Sequence, residues 1–338
     1  MTDDWKQQLD ALHAGLVRRD DPAAWVREAD AVDASQRYPH IALRGPVFGI
    51  ASQDPEAGPN WRMVTPAADG TPQQARDGLN SHLWFRAKDD TDDRDVRREL
   101  LDAVAVLERD PVNELKVLGV RYRVVRCDEF TRIGTDGLEP PRPTDAEARD
   151  ASWEGLHHTE SLDEGFVLDP GRDDGLFAGA MKLSLRTLAY SDSRFPADVR
   201  ADSEQAATDY PDIALLPVGF GVAERRGKGW RPRGVLMPTP HDARRMLHSA
   251  MTETWPELHE FDQDEKDTYA KAAEELKTAA RVNDVHVDDR LFRICRIERA
   301  IRMGPDGPEP PRPTDQDQYT PEKIHPTMDL DGTLHYDD

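Results

Sequence analysis

The sequence predicts an α+β protein built as a tandem duplication, two homologous α+β halves packed as a pseudo-dimer. Three observations carry that expectation. The phrase EPPRPTD occurs twice, at Glu139 to Asp145 and at Glu309 to Asp315. Around it the likeness extends: when Arg121 to Asp145 is set over Leu291 to Asp315, 13 of 25 positions agree. Upstream, Tyr38-Pro39 returns as Tyr210-Pro211, Phe48-Gly49 as Phe220-Gly221 and Thr71-Pro72 as Thr239-Pro240, all at spacings of 168 to 172 residues. Such a sustained spacing marks an internal repeat. Within each half, helical and strand periodicities alternate in mixed order rather than as repeating βαβ units, which indicates α+β. The turn-rich DPGRDDG (Asp169 to Gly175) sets the boundary, so the expected domains are residues 1–170 and 171–338.

Taken in order, Trp5, Leu9, Leu12 and Leu16 form the apolar stripe of a first helix over Asp4 to Arg19, echoed by Phe177, Met181 and Leu188. IALRGPVFGIA, a turn at QDPEAGPN and WRMV predict a hairpin. Thr71 as N-cap and Pro72 at the first helical position open a helix through Trp84. A second helix spans Asp92 to Glu108, with Val96, Leu100, Val104 and Leu107 on one face. The acids at Asp89, Asp90, Asp92 and Asp93 lack the EF-hand glycine and glutamate, and suit a helix N-terminus. A strand near Val120 to Ile133, copied around Phe292 to Ile297, carries apolar groups on both faces, which predicts a central strand covered on each side.

Asp136-Gly137 and Asp306-Gly307 are turn signals, and Glu-Pro-Pro-Arg-Pro has restricted φ and few amide donors. The repeated phrase therefore reads as a rigid extended arm leaving the central strand, with Thr144 or Asp145 expected to cap a following helix and Glu147 to complete the capping box. Docking of such arms into an aromatic groove is the functional alternative. Arg123, Arg126 and Arg132 match Arg293, Arg296 and Arg302, and charges beside core residues require partners; internal ion pairs are the expected solution. Cys127 and Cys295 fall in apolar runs and read as small hydrophobes.

With 44 basic against 66 acidic residues the net charge is −22, which opposes general nucleic-acid binding and attraction to anionic membranes. The N-terminus has no basic-then-apolar leader and no run approaches 18 apolar residues, so no membrane association and a cytoplasmic location are expected. DLDGTL (Asp329 to Leu334) spells a phosphatase nucleophile motif, but four residues follow where a large domain is required, and a turn is the expected form. GVAERRGKG misses phosphate-loop spacing by one residue and lacks the Ser or Thr for Mg²⁺. His157, His158 and Glu160 have no metal-site spacing. No motif for a metal or cofactor appears, so none is assigned.

The phrase RxxRxxxxxRxGxDGxEPPRPTD, with YPxIAL upstream, resembles an actinobacterial family of uncharacterised proteins known only as a domain of unknown function. The resemblance covers most of the chain, implies a cytoplasmic protein and assigns no catalytic residue. The residues themselves lead to two expectations. One is a non-catalytic interaction or scaffold protein whose partner is another protein or a second copy of the chain, through the second hairpin tip, where Arg225, Arg226, Lys228, Arg231 and Arg233 cluster. The alternative is an enzyme or binder of a small ligand or anion, with a site between the halves involving Arg126, Arg296, His157 and His325.

Overall fold

The computed structural model describes residues 21–56, 58–148, 152–153, 161–278 and 281–336, and within them the protein has both helices and strands. The first expected helix, Asp4 to Arg19, lies outside the described residues. Helix α1 (Pro22–Arg37) starts at Pro22 behind Asp21, whose carboxylate accepts from the Ala23 amide. Strand β1 (His40–Gln53) bulges between Leu43 and Gly45 and pairs with β2 (Arg62–Met63), as the hairpin pattern requires. Helix α2 (Pro72–Asp89) begins with a complete capping box between Thr71 and Gln74. Helix α3 (Arg94–Leu107) is capped by Asp93. Strands β3 (Glu114–Val117), β4 (Val120–Gly134) and β5 (Gly137–Leu138) follow.

The second half contributes α4 (Leu176–Arg186), α5 (Ala197–Asp209), β6 (Asp212–Leu215), β7 (Gly219–Arg226) and β8 (Gly229–Met237). Helix α6 (Pro240–Ser249) runs through a π-helical turn, Ala250–Thr254, into α7 (Trp255–Leu258). Then come α8 (Gln263–Thr278), β9 (Asp284–Val287), β10 (Arg290–Gly304) and β11 (Gly307–Pro308), and a final hairpin of β12 (Thr327–Met328) and β13 (Leu334–His335). DLDGTL forms the turn of that hairpin, where Gly332 takes φ +91°.

Among the described residues eleven strands make one antiparallel sheet whose main path is β2–β1–β4–β10–β7–β8, with β4 and β10 side by side at its centre. Alternation along these two strands sends one set of side chains to a helix-covered face. There Tyr122 and Val124 pack with α2 and α3, Phe130 and Ala300 with α4, and Phe292 and Ile294 with α6 and α8. The other set, including Val125, Cys127, Cys295, Ile297 and Ile301, forms two apolar patches on the opposite face. Both cysteines are free and buried, as apolar positions on a central strand require.

β4 and β10 pair directly only over Cys127 to Phe130 and Glu298 to Ile301, centred on Glu129 opposite Arg299. Beyond that contact each strand has an edge position left open, and the repeated arms fill it. The Arg296 amide donates to the Glu139 carbonyl, and the Arg126 amide donates to the Glu309 carbonyl, each at 2.9 Å. Each arm thus adds to the central strand of the other half. The chain then continues onto that half: Glu147 pairs with Arg244 at 3.0 Å and Trp153 packs on the α6 and α8 core, while Asp317 pairs with Arg76 at 2.8 Å and Met328 joins the α2 and α3 core.

The arms run without helical structure through Pro140-Pro141 and Pro310-Pro311. Among the described residues no helix follows directly on them; a turn closes instead. Asp145 and Asp315 accept from the Arg142 and Arg312 amides, each at 2.7 Å, because these carboxylates are also held by Arg296 and Arg126 and are committed to the strand rather than to a helix start. The strand arginines are likewise internal: Arg123 pairs with Glu114 and Asp306 and Arg293 with Asp284, each stacked on a tryptophan, Trp61 and Trp230. Arg132 and Arg302 differ from the expectation of carboxylate partners. They donate to backbone carbonyls, Arg302 to Leu185 and Leu188 at the end of α4, where the free carbonyls of a helix terminus provide the acceptors.

The two Asp-Gly turns make the arms possible. Gly137 and Gly307 have φ of +103° and +113°, and a Cβ on them would stand 2.6 Å from Trp230 Cζ2 and 2.2 Å from Trp61 Nε1. Gly137→Ala and Gly307→Ala should each lower stability by about 2 kcal/mol or more, since both backbone strain and overpacking oppose the methyl group. Urea denaturation of the two variants checks this, with Gly45→Ala, which has open space at its Cβ, as a measure of the backbone contribution alone.

Candidate functional site

Two clefts open on the helix-covered face, one beside each central strand. The first surrounds Arg126 of β4, which is 2% exposed. Its guanidinium bonds Asp128 at 2.8 Å, Asp315 at 3.1 Å and the Tyr190 hydroxyl at 3.2 Å, and Tyr190 in turn donates to Asp128 at 2.6 Å. Burial alone would raise the Asp128 carboxyl; Arg126 and the Tyr190 hydroxyl outweigh it and hold Asp128 below the ordinary carboxylate range. Burial and the neighbouring Asp128 push Tyr190 up to about 12, so the phenol stays a donor. The Tyr190 ring stacks on Phe195 at 4.9 Å.

This cleft encloses about 510 Å³. Its charged lining is four arginines, Arg44, Arg126, Arg194 and Arg312, against one carboxylate, Asp315. Arg44 is brought to the rim by the β1 bulge and reaches Glu129 at 2.7 Å. Arg312 is locked to Glu309 at 2.6 Å through Nε, and its Nη1 is buried without a hydrogen-bond partner. Arg194 is exposed and lies over the Phe195 ring.

The second cleft, about 490 Å³, surrounds Arg296. Arg296 pairs with Glu298 and Asp145, and Arg142 with Glu139 at 2.7 Å. Its charged lining is balanced, five arginines (Arg27, Arg142, Arg172, Arg296, Arg299) against five carboxylates (Glu28, Asp145, Asp173, Asp174, Glu298). Arg126 and Arg296 therefore sit in separate clefts. His325 belongs to neither: it stacks on Trp84 at 4.6 Å and bonds Ser81 at 2.9 Å, on the α2 surface. His157 lies outside the described residues.

The cationic hairpin tip divides in two. Glu224, 1% exposed, gathers Arg226 at 3.1 Å, Arg290 at 2.8 Å and Arg233. Burial would raise its carboxyl, but the hydrogen bonds from Arg290, Arg233 and Arg226 prevail and bring it down to about 2. Arg225, Lys228 and Arg231 are exposed, around Gly227 at φ +58°. Among the described residues no group of three or more His, Cys, Asp or Glu is placed to hold a metal ion, and no helix is long and apolar enough to cross a membrane.

Sequence reading identified Arg126 and Arg296 but missed Arg44, Tyr190, Arg194 and Phe195. Tyr190 is 62 residues from Asp128, and only the packing of the α4 to α5 connection brings it there. No local pattern announces such a contact.

Residues 21–318 match the family model described as a family of unknown function, DUF5954, and the chain belongs to that family. No curated protein and no solved structure matches.

Glu224 makes a stability prediction with a defined pH window. A carboxyl depressed from 4.5 to about 2 stabilises the fold fully above its unfolded value and loses that contribution as pH falls through about 2. Glu224→Gln, which leaves three arginines around a neutral group, should cost about 3 kcal/mol at neutral pH. The difference from the parent should shrink steadily below pH 4.5. Denaturation of both proteins across that range measures it.

Proposed function

Since membership in this family brings no activity with it, the reading rests on the clefts, and we propose that the protein binds a small anionic molecule between two fused, homologous halves. The observation that carries it is the charge of the Arg126 cleft: four arginines against one aspartate, in a chain of net charge −22. Arg44, Arg126 and Arg312 are each held by carboxylates, so the charge left for a ligand is that of Arg194, exposed at the mouth, together with the Arg312 Nη1 that has no hydrogen-bond partner. Arg126 is oriented by Asp128, Asp315 and Tyr190, so its position is set before any ligand arrives, and little side-chain entropy is lost on binding. Arg194 supplies charge at the rim, and the Tyr190–Phe195 pair supplies an apolar wall. This arrangement suits a phosphate or carboxylate on a compact organic body.

The internal duplication read from the sequence supports the same proposal. The reciprocal arms, the matched Arg76–Asp317 and Arg244–Glu147 pairs, and the β4–β10 register centred on Glu129 and Arg299 are what a fused homodimer would retain. Under this view, features shared by both halves hold the fold, and features present in one half carry specialised function. The basic cleft is of the second kind.

Titration calorimetry at low ionic strength with inorganic phosphate, citrate and a nucleoside monophosphate tests the proposal. Saturable binding that weakens with salt is expected, and Arg194→Glu, on an exposed residue, should reduce affinity roughly tenfold without lowering the melting temperature. Absence of binding for all three anions, or binding indifferent to Arg194→Glu, would refute it.

A second reading follows from the hairpin tip, where Arg225, Lys228 and Arg231 project cationic charge from an otherwise acidic molecule. Contact with the acidic surface of another protein or a second copy would use that complementarity. Replacing these three residues with Glu should abolish any self-association seen at low salt by analytical ultracentrifugation, and leave thermal stability nearly unchanged; unaltered sedimentation would exclude this role.

A further inference from the structure

The sheet face that carries no helix among the described residues has two apolar patches that the structure treats differently. On the first, Val125, Cys127, Ala51 and Trp61 are sealed by the segment Asp163–Leu168. That segment runs along β2, with the Met63 amide donating to the Phe166 carbonyl and the Leu168 amide to the Trp61 carbonyl, each at 2.9 Å. Its anchor is Asp163, fully buried, paired with the equally buried Arg299 at 2.6 Å and accepting from the Ala67 amide at 2.9 Å.

The second patch, formed by Cys295, Ile297, Ala223, Leu138 and Trp230, has no such seal among the described residues, and a cavity of about 270 Å³ lies against it. The reason is legible in the chemistry. In the alignment of the halves, the position of Arg299 is taken by Glu129, which cannot hold a carboxylate and binds Arg44 instead. The residue aligned with Asp163 is Asp331, exposed in the β12–β13 turn, where its carboxylate accepts from the Thr333 amide. The segment that would have sealed the second patch packs elsewhere, with Met328 and Leu334 against the α2 and α3 core. This comparison rests on the duplication reading; the cavity itself does not.

The geometry points to this cavity, which meets the anion cleft at Leu43 and Arg44, as a binding site for a compact, neutral, apolar molecule. Its floor and walls are Cys295, Ile297, Ala223, Leu236 and the Trp230 ring. The charged groups on its rim are already compensated within the protein, Arg44 by Glu129 and Arg233 by Glu224, so no free charge there selects a charged ligand. Thr131 is committed to the Arg296 carbonyl. Shape and apolar contact are what remain for recognition, and the indole of Trp230 favours a planar ring. Burial holds the Cys295 thiol well above its ordinary pKa, which keeps it neutral and consistent with an apolar wall.

The test uses N-phenyl-1-naphthylamine, a neutral dye that brightens in apolar sites, and iodobenzene. The dye should bind saturably to the full chain, without competition from phosphate. Ala223→Leu and Cys295→Leu, which fill the cavity from two strands, should each weaken dye binding about tenfold while the circular dichroism spectrum stays that of the parent. Crystals soaked in iodobenzene should place the iodine signal against Cys295 and Trp230, a readout that requires no variant. No dye binding, dye binding unchanged in folded filled variants, or a soaked crystal with the cavity empty would each overturn the proposal. Failure of phosphate binding with retained dye binding would reject the anion reading and leave this one standing.

Discussion

A short contact between β4 and β10 governs the rest of the structure. Only four residues of each strand pair directly, so the amides of Arg126 and Arg296 face an edge that the partner strand does not cover. A buried amide without an acceptor costs free energy of the order of a lost hydrogen bond. The acceptors are the Glu309 and Glu139 carbonyls at the start of the two arms, each delivered from the other half. Neither central strand is complete until the opposite half is docked, and strands of both halves lie in one sheet.

The same constraint explains the chemistry of the repeated phrase. The glutamate at its start supplies a backbone carbonyl to the opposite strand and a carboxylate to the arginine three residues on. The prolines carry the chain away without amides that would need partners in a crowded place. The terminal aspartate closes the turn and pairs with the arginine of the opposite strand. Each polar side chain in the phrase has at least one internal partner, which accounts for its identity in both copies without any external ligand. An acidic molecule consumes many of its arginines in this way, and those left facing open space, as at Arg194 or at the hairpin tip, stand out against that background.

Where the halves differ, the differences are coordinated. Glu129 and Arg299 oppose one another at the centre of the β4–β10 pairing and carry opposite charges. Arg299 fixes the Asp163 segment and closes one patch; Glu129 draws in Arg44, which also lines the basic cleft, and among the described residues a cavity lies against the neighbouring patch. A single charge difference thus connects a sealed core on one side with two cavities on the other.

The sequence by itself determined several elements: the helix cap at Thr71, the β1–β2 hairpin, the buried strand with arginines on both faces, the Asp-Gly turns and the arms. These are local, because periodicity, capping and turn chemistry act within a few residues. It also implied that the strand arginines had internal partners, since a charge beside core residues demands one. Only the tertiary structure decided which partners, that the arms cross to the opposite half, that Asp145 and Asp315 close turns instead of capping helices, and that Tyr190 and Arg194 join Arg126. Those outcomes depend on contacts between groups 60 to 190 residues apart, such as Tyr190 with Asp128 and Arg126 with Asp315. Such contacts are selected by the packing of whole elements, and no short stretch of sequence contains the information that selects them.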